Sequence, residues 1–222
     1  MTNKPGVLHF QIIQSNIDLL YMRLGLSLNN ILKMLENEND FKGFYNPKKY
    51  KIIDCDDVGE FTKFQSTIKG LNNYIYYNSL VLSSYSVFEH SLKLICNFID
   101  KYFVLPEKFI DKPIDILGNC MKYIKRTQLV DFGDTEIDKI YMQIKKVNKL
   151  RNLIAHYNGN LIKDRSKPLK KQTNYNLFKS DKRLIIIGNG QIYIDNDEYI
   201  SSFVEESEKF LNLIIKQIKN NC

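Results

Sequence analysis

Apolar positions along this chain fall into long stretches of helical spacing, broken once by a pair of β-branched runs. Ile12, Ile13, Leu19, Leu20, Leu24, Leu28, Ile31, Leu32 and Leu35 recur at near-helical intervals and predict a first helix over residues 9–36. The stretch "ENENDFKGFYNPKKY" ends it, since Asn, Gly43 and Pro47 break the pattern. Residues 38–60 read as a loop, with one short extended piece at "YKIID". A second helix is expected over 62–101. Its centre, "YNSLVLSSYSVFEHSLKLICNFI", is apolar on more than one face and therefore belongs in the middle of the fold.

Pro106 and Pro113 bound a connector, and a shorter helix follows through "IDILGNCMKYIKR". The next helix lies within "DFGDTEIDKIYMQIKKVNKLRNLIAHYNG", with Asp134 or Thr135 as its cap and Gly159 as its left-handed exit. Past it, "IKDRSKPLKKQTNYN" reads as a basic, polar loop. "KRLIIIGNGQIYIDN" then reads as a β-hairpin turning at Gly188-Asn189-Gly190. A last helix over 197–219 carries Tyr199, Phe203, Phe210, Leu211, Ile214, Ile215 and Ile218. The fold class expected is mainly α: a bundle of about five helices with a β-hairpin inserted before the C-terminal helix. Residues 1–222 form a single domain, in which 1–60 supply a helix and loop and 62–219 the core. There is no internal repeat.

Composition adds three constraints. At 222 residues and 44% hydrophobic content the chain can build a real core, which argues against disorder. The four cysteines (Cys55, Cys96, Cys120, Cys222) are scattered, with neither a CxxC pair nor Cys/His spacing suited to a metal, and read as free thiols. The N-terminal residues lack the charged-then-apolar design of a signal peptide, and no apolar run reaches the roughly 20 residues of a membrane span. A cytoplasmic location is expected, with no cofactor and no metal site. The net charge of +7 makes a polyanion a plausible partner, although solvated lysine faces are common.

Candidate chemistry concentrates in the helix from Ile137 to Tyr157. Ile137, Ile140, Ile144, Val147 and Ile154 repeat at steps of three and four with one gap, and Arg151 fills the gap. An unpaired buried guanidinium is expensive, so this arginine requires a partner, a cleft or an interface. On an ideal helix His156 projects about 140° from Arg151 and lies with Lys145, Lys149 and Asn152 on the polar side. Asn152 and His156, four apart, are neighbours. One chain therefore does not bring Arg151 and His156 to the same atom unless the helix end deviates or a second copy takes part. A snorkelling arginine and a helix-end histidine favoured by the dipole explain the same residues without function.

The segment "RNLIAH", Arg151 to His156, at the end of a late helix in a helical bundle, resembles the HEPN superfamily (higher eukaryote and prokaryote nucleotide-binding domains), and more closely its prokaryotic ribonuclease and toxin-like branch. Arg151, Asn152 and His156 fill the places of its RNxxxH motif. The apolar second helix puts Glu89 in the place of the family's embedded acidic residue. The hairpin before the closing helix is similar to that of several prokaryotic members, and the resemblance covers roughly residues 62–219.

The resemblance implies a metal-independent endoribonuclease whose site forms where two copies pair about a two-fold axis. Arg151 and His156 would be catalytic there, supported by Asn152 and Glu89. Histidine can act as acid or base near neutral pH, and a guanidinium can hold a phosphate and its transition-state charge. Asn152 could fix the imidazole or bond a phosphate oxygen. The products would carry 2′,3′-cyclic phosphate and 5′-hydroxyl ends. The family also implies a toxin or phage-defence role, RNA and a second copy as partners, and a cognate antitoxin or sensor protein.

Other positions have two readings each. Glu89 either pairs with Arg151 or orients His156, or it fixes bundle register alone. Lys149 and the run Lys163, Arg165, Lys167, Lys170, Lys171 either guide an RNA backbone or form a solvated face. Tyr157 and Tyr175 either stack bases or pack. His90 and His9 read as structural or surface residues. The competing function is a non-catalytic interaction, dimerisation or nucleotide-binding module; a sequence-specific DNA binder is disfavoured, as no helix-turn-helix is legible.

Overall fold

The structure, a computed structural model, describes residues 5–36, 58–133 and 135–221. The chain folds into α1 (Val7–Glu36), α2 (Val58–Tyr102), α3 (Ile116–Thr127), α4 (Thr135–Tyr157), a short α5 (Tyr175–Lys179), strands β1 (Leu184–Ile186) and β2 (Ile192–Ile194), and α6 (Glu198–Asn220). The mainly helical bundle with a hairpin before its last helix is the architecture expected from the pattern. The expected extended piece at "YKIID" and the cap Asp134 lie outside the described residues, as do Cys55 and Cys222.

The centre of the molecule is α2, because it is apolar all round. α1, α3, α4 and α6 all pack against it, and Tyr85, Phe88, Leu92, Ile95 and Ile99 are fully buried. α6 lies beside it and takes α1 on one side and α4 on the other. Toward α1, the Tyr21 hydroxyl donates to Ser207 Oγ at 2.9 Å and Gln14 Nε2 donates to Asn212 at 2.6 Å. Toward α4, the Tyr141 ring stacks on Phe210 with centroids 6.1 Å apart.

α1 buries Phe10, Ile13, Ile17, Tyr21, Leu24 and Leu28, a stripe at steps of three and four. Ile12 and Leu19, counted above among its periodic residues, instead face outward. The helix carries apolar residues on two opposite sides, and only one of them meets the bundle.

α3 begins at Asp115, whose Oδ1 accepts from Gly118 N at 3.1 Å. The connector before it is tied back to α2 by Lys93 with Asp111, and by Asp100 Oδ1, which accepts from Phe109 N. Cys96 and Cys120, facing each other across α2 and α3, are buried free thiols.

The segment read from sequence as a basic loop is folded. A 3-10 turn (Leu169–Lys171) and α5 form within it around Gln172. The Gln172 side chain is buried and donates to the carbonyls of Asp164 and Lys167 at 2.6 and 2.9 Å. In the hairpin Leu184 pairs with Ile194, Ile185 with Tyr193 and Ile186 with Ile192. Gly190 N donates to Ile187 O and closes the turn; the glycine sits at φ 84°. A Cβ there would lie 2.7 Å from Ile162 Cγ1, so the position requires glycine.

One ion-pair knot joins α4, α5 and the hairpin. The buried Asp181 carboxylate meets Lys146 at 2.7 Å and accepts from Arg183 Nε and Nη2 at 3.0 Å each. Burial alone would push this carboxyl up; the hydrogen bonds from Arg183 and Lys146 outweigh it and hold the group well below the usual carboxylate range. No helix among the described residues is long and apolar enough to cross a membrane.

Candidate functional site

The site is built on α4. Glu136 and Asp138 in the first turn oppose the positive helix terminus. Ile137, Ile140, Ile144, Val147, Leu150 and Ile154 then lock one face against α2 and α6. Arg151 sits inside that stripe, in the seam between α4 and α2, with 29% of its side chain exposed.

Its guanidinium is held loosely. Nη1 donates to Asn152 Oδ1 at 2.9 Å, and the guanidinium carbon stands 5.7 Å over the Tyr85 ring. Nη2 lies 3.8 Å from Glu89 Oε2, close enough to attract but too far for a hydrogen bond. Nε is buried without a partner among the described residues. A guanidinium has five N–H donors, and most of this one's capacity is unspent among the described residues.

Glu89, from α2, exposes 12% of its side chain. Burial pushes its carboxyl above the ordinary value, and the Arg151 and Lys93 charges only partly oppose that rise. Beneath it, the fully buried Tyr85 hydroxyl has no hydrogen-bond partner among the described residues, and burial with the Glu89 charge pushes it far above the usual phenol range.

Asn152 accepts from Arg151, and its Nδ2 donates to Asn148 Oδ1 at 3.2 Å. It therefore orients the guanidinium, and in this chain its amide is not spent on the imidazole. His156 is exposed in the last turn, without a hydrogen bond or ion pair among the described residues. Since α4 stays helical through Tyr157, the end does not unwind toward Arg151, and no contact joins the two side chains. Of the two routes weighed above, a deviating helix end and a second copy, the first is absent.

The end of α4 is fixed by parts distant in sequence. Asn158 and Gly159 take left-handed conformations at φ 49° and 72°, and Gly159 N reaches back to Leu153 O at 3.1 Å. The Tyr74 hydroxyl from α2 donates to the Asn158 carbonyl, and Gln191 Nε2 donates to the same carbonyl and to Tyr74 Oη at 2.6 Å each. Ile192 N then donates to Gly159 O, and Leu161 N to Gly190 O, so the chain leaving α4 adds to the edge of the hairpin.

Two of the candidate RNA contacts meet. Lys163 Nζ lies 4.2 Å over the exposed ring of Tyr157. Lys149 is exposed on the polar side of α4 and Arg165 on the folded basic segment; Lys167 pairs with Asp164 at 3.0 Å. Lys170 and Lys171 are exposed on the 3-10 turn, and Tyr175 is half-buried. His90 is exposed beside Glu89, whereas His9 packs on Tyr102 and its Nδ1 accepts from Gly6 N. Among the described residues no group of three or more His, Cys, Asp or Glu side chains is placed to hold a metal ion.

Sequence reasoning found Arg151, Asn152 and Glu89, which do meet. It missed Tyr85, Tyr74 and Gln191, which no local pattern marks; only Gly159 signalled a left-handed exit. No family model, curated protein or solved structure matches the chain.

Proposed function

We propose that this chain is a metal-independent endoribonuclease that cuts RNA through its own 2′-hydroxyl at a site shared by two copies. The observation that supports it best is Arg151: a cation placed in a packing stripe, with a loose ion pair, one hydrogen bond and an unpartnered Nε. A purely structural arginine would be better satisfied. The unspent donors suit a phosphate, which takes guanidinium bonds in pairs.

The chemistry follows from residue types. His156 of one copy takes the proton from the 2′-hydroxyl as that oxygen attacks phosphorus. The bond from phosphorus to the 5′-oxygen breaks, and the second copy's imidazolium gives that oxygen its proton. The products are a 2′,3′-cyclic phosphate and a 5′-hydroxyl. Arg151 holds the charge gathering on the non-bridging oxygens, with Asn152 fixing its fork and Glu89 its place in the seam. Tyr157, Lys163, Lys149 and Arg165 contact the flanking strand. In a cell this activity belongs to a cytoplasmic toxin or phage-defence effector, restrained by an antitoxin or sensor protein.

A second reading, a non-catalytic dimerisation or nucleotide-binding module, draws on the neighbours Arg151 already has in Asn152, Glu89 and the Tyr85 ring. Incubating RNA with the purified protein in EDTA separates the two. Cyclic-phosphate ends from the parent and none from His156→Ala support the nuclease. Equal cleavage by both, or none from the parent across structured and unstructured RNAs, overturns it.

A further inference from the structure

The side of α1 that faces away from the bundle carries Leu8, Ile12, Leu19, Met22 and Leu26, each between 41% and 65% exposed. With Ser15 they follow steps of 4-3-4-3-4, the spacing of a coiled-coil seam rather than of a helix laid on a globular core. In heptad terms Ile12, Leu19 and Leu26 take a positions, and Leu8, Ser15 and Met22 take d positions. The residues α1 buries, Phe10, Ile13, Ile17, Tyr21 and Leu24, take b, c and f positions on the opposite side. α1 thus has two separate apolar faces, and the bundle uses one.

From this geometry we infer that a second copy of this chain docks on that outer face, α1 against α1, in parallel. Three observations select the occupant. The stripe repeats for about 27 Å at 1.5 Å per residue without a charge in it, so an identical stripe meets it layer by layer. It leaves on the order of 500 Å² of apolar surface in water, which with its polar rim reaches the weak end of specific interfaces.

Charge then sets the direction. Asp18 and Arg23 flank the seam at g and e positions five residues apart, the offset at which parallel helices cross-pair. Asp18 of each copy meets Arg23 of the other, and Arg23 makes no ion pair among the described residues to compete. An antiparallel seam that keeps the apolar layers matched turns about residue 17, which sets Asp18 beside its own copy. The seam lies across α6 from α4, so pairing there leaves Arg151 and His156 uncovered. It does not rest on the nuclease reading and stands whether or not RNA is cut.

Sedimentation and light scattering on the full chain over a range from about 1 to 100 μM test it, as interfaces of this size span micromolar affinities. A concentration-dependent dimer is expected. Leu19→Glu with Met22→Glu should raise the dissociation constant at least tenfold, toward monomer, with an unchanged melting temperature at concentrations where the parent is monomeric, because both residues are exposed. Asp18→Arg should weaken the dimer and Asp18→Arg with Arg23→Asp should restore it. Ser15→Cys under mild oxidation should form a covalent dimer that the parent does not. A parent that stays monomeric throughout, or a dimer untouched by Leu19→Glu with Met22→Glu, overturns the seam; charge variants without effect, or no Ser15→Cys cross-link, overturn its parallel direction.

Discussion

Glu89 and Arg151 face each other across the seam between α2 and α4 at 3.8 Å, a distance at which the two attract and neither satisfies the other. Burial lifts the Glu89 carboxyl above its ordinary value in spite of the cation beside it. The folded chain therefore holds this proton more tightly than the unfolded chain does. Stability linked to Glu89 is present below the unfolded value, near 4.3, and is lost as pH rises through the folded value. Glu89→Gln, which mimics the protonated form, is expected to match the parent at acid pH and to melt increasingly higher than it as pH rises through the folded carboxyl's titration. Thermal melts from pH 4 to 8 check this; a variant less stable than the parent at pH 7 would mean that the attraction to Arg151 outweighs the burial of the charge.

Arg151→Ala should leave the bundle folded, at a cost of about 1 kcal/mol, since it removes one hydrogen bond and a loose pair. Cleavage should vanish. Arg151→Lys keeps the charge and loses the fork, and is expected to cut at least 100-fold more slowly, because lysine cannot hold two phosphate oxygens in that geometry. Circular dichroism alongside initial rates separates the cases: an unfolded Arg151→Ala marks a structural arginine.

Gly159 is the tightest point of the exit from α4. Any Cβ there would lie 2.9 Å from both Gln191 Nε2 and Tyr74 Oη, at a φ of 72° that disfavours L side chains. Gly159→Ala is expected to lose about 1–2 kcal/mol and to release the last turn of α4. Amide exchange around Tyr157 should speed up more than exchange in α2, and an unchanged exchange pattern would show the exit to be tolerant.

Asp181→Ala would strip the counter-charge from Lys146, which exposes 15% of its side chain, and from Arg183. A loss of about 3 kcal/mol in urea unfolding is expected, the usual effect of orphaning one member of a buried pair. In the parent the same carboxyl, depressed in the folded state, contributes stability that is present above pH 4 and is lost as pH falls toward its folded value. A parent whose stability stays flat between pH 5 and 3 would contradict that role, provided other carboxylates are followed by the same titration in Asp181→Asn.

The helices were legible because their apolar spacing is strong, and their observed ends fall within a few residues of those read from sequence. The hairpin was legible from its β-branched runs and its Gly-Asn-Gly turn. What escaped was set by packing between distant segments. Nothing local distinguishes the outward Ile12 and Leu19 from the inward Ile13 and Ile17, because both sets are apolar and helical in period; the choice belongs to α2 and α6. The folded basic segment escaped because its organiser, Gln172, is a polar residue that becomes buried only once two carbonyls accept its amide. At the site, Arg151 announced itself as a charge out of place, whereas for Asn152 the imidazole and a phosphate oxygen were the partners weighed and the guanidinium next to it was not.

The clamp on α4 also sets a schedule. Tyr74 and Gln191, which together hold the Asn158 carbonyl, stand 117 positions apart in the chain. At translation rates of about 5–20 residues per second, some 6–23 s pass between the synthesis of the first and of the second. The end of α4 is itself made only 33 positions before Gln191, so for about the last 2–7 s of that interval it has its α2 anchor alone and the turn bearing His156 lacks the second half of its clamp. A nascent chain thus carries every residue of the motif before it carries the means to fix them, and the site comes of age only once the hairpin has been made.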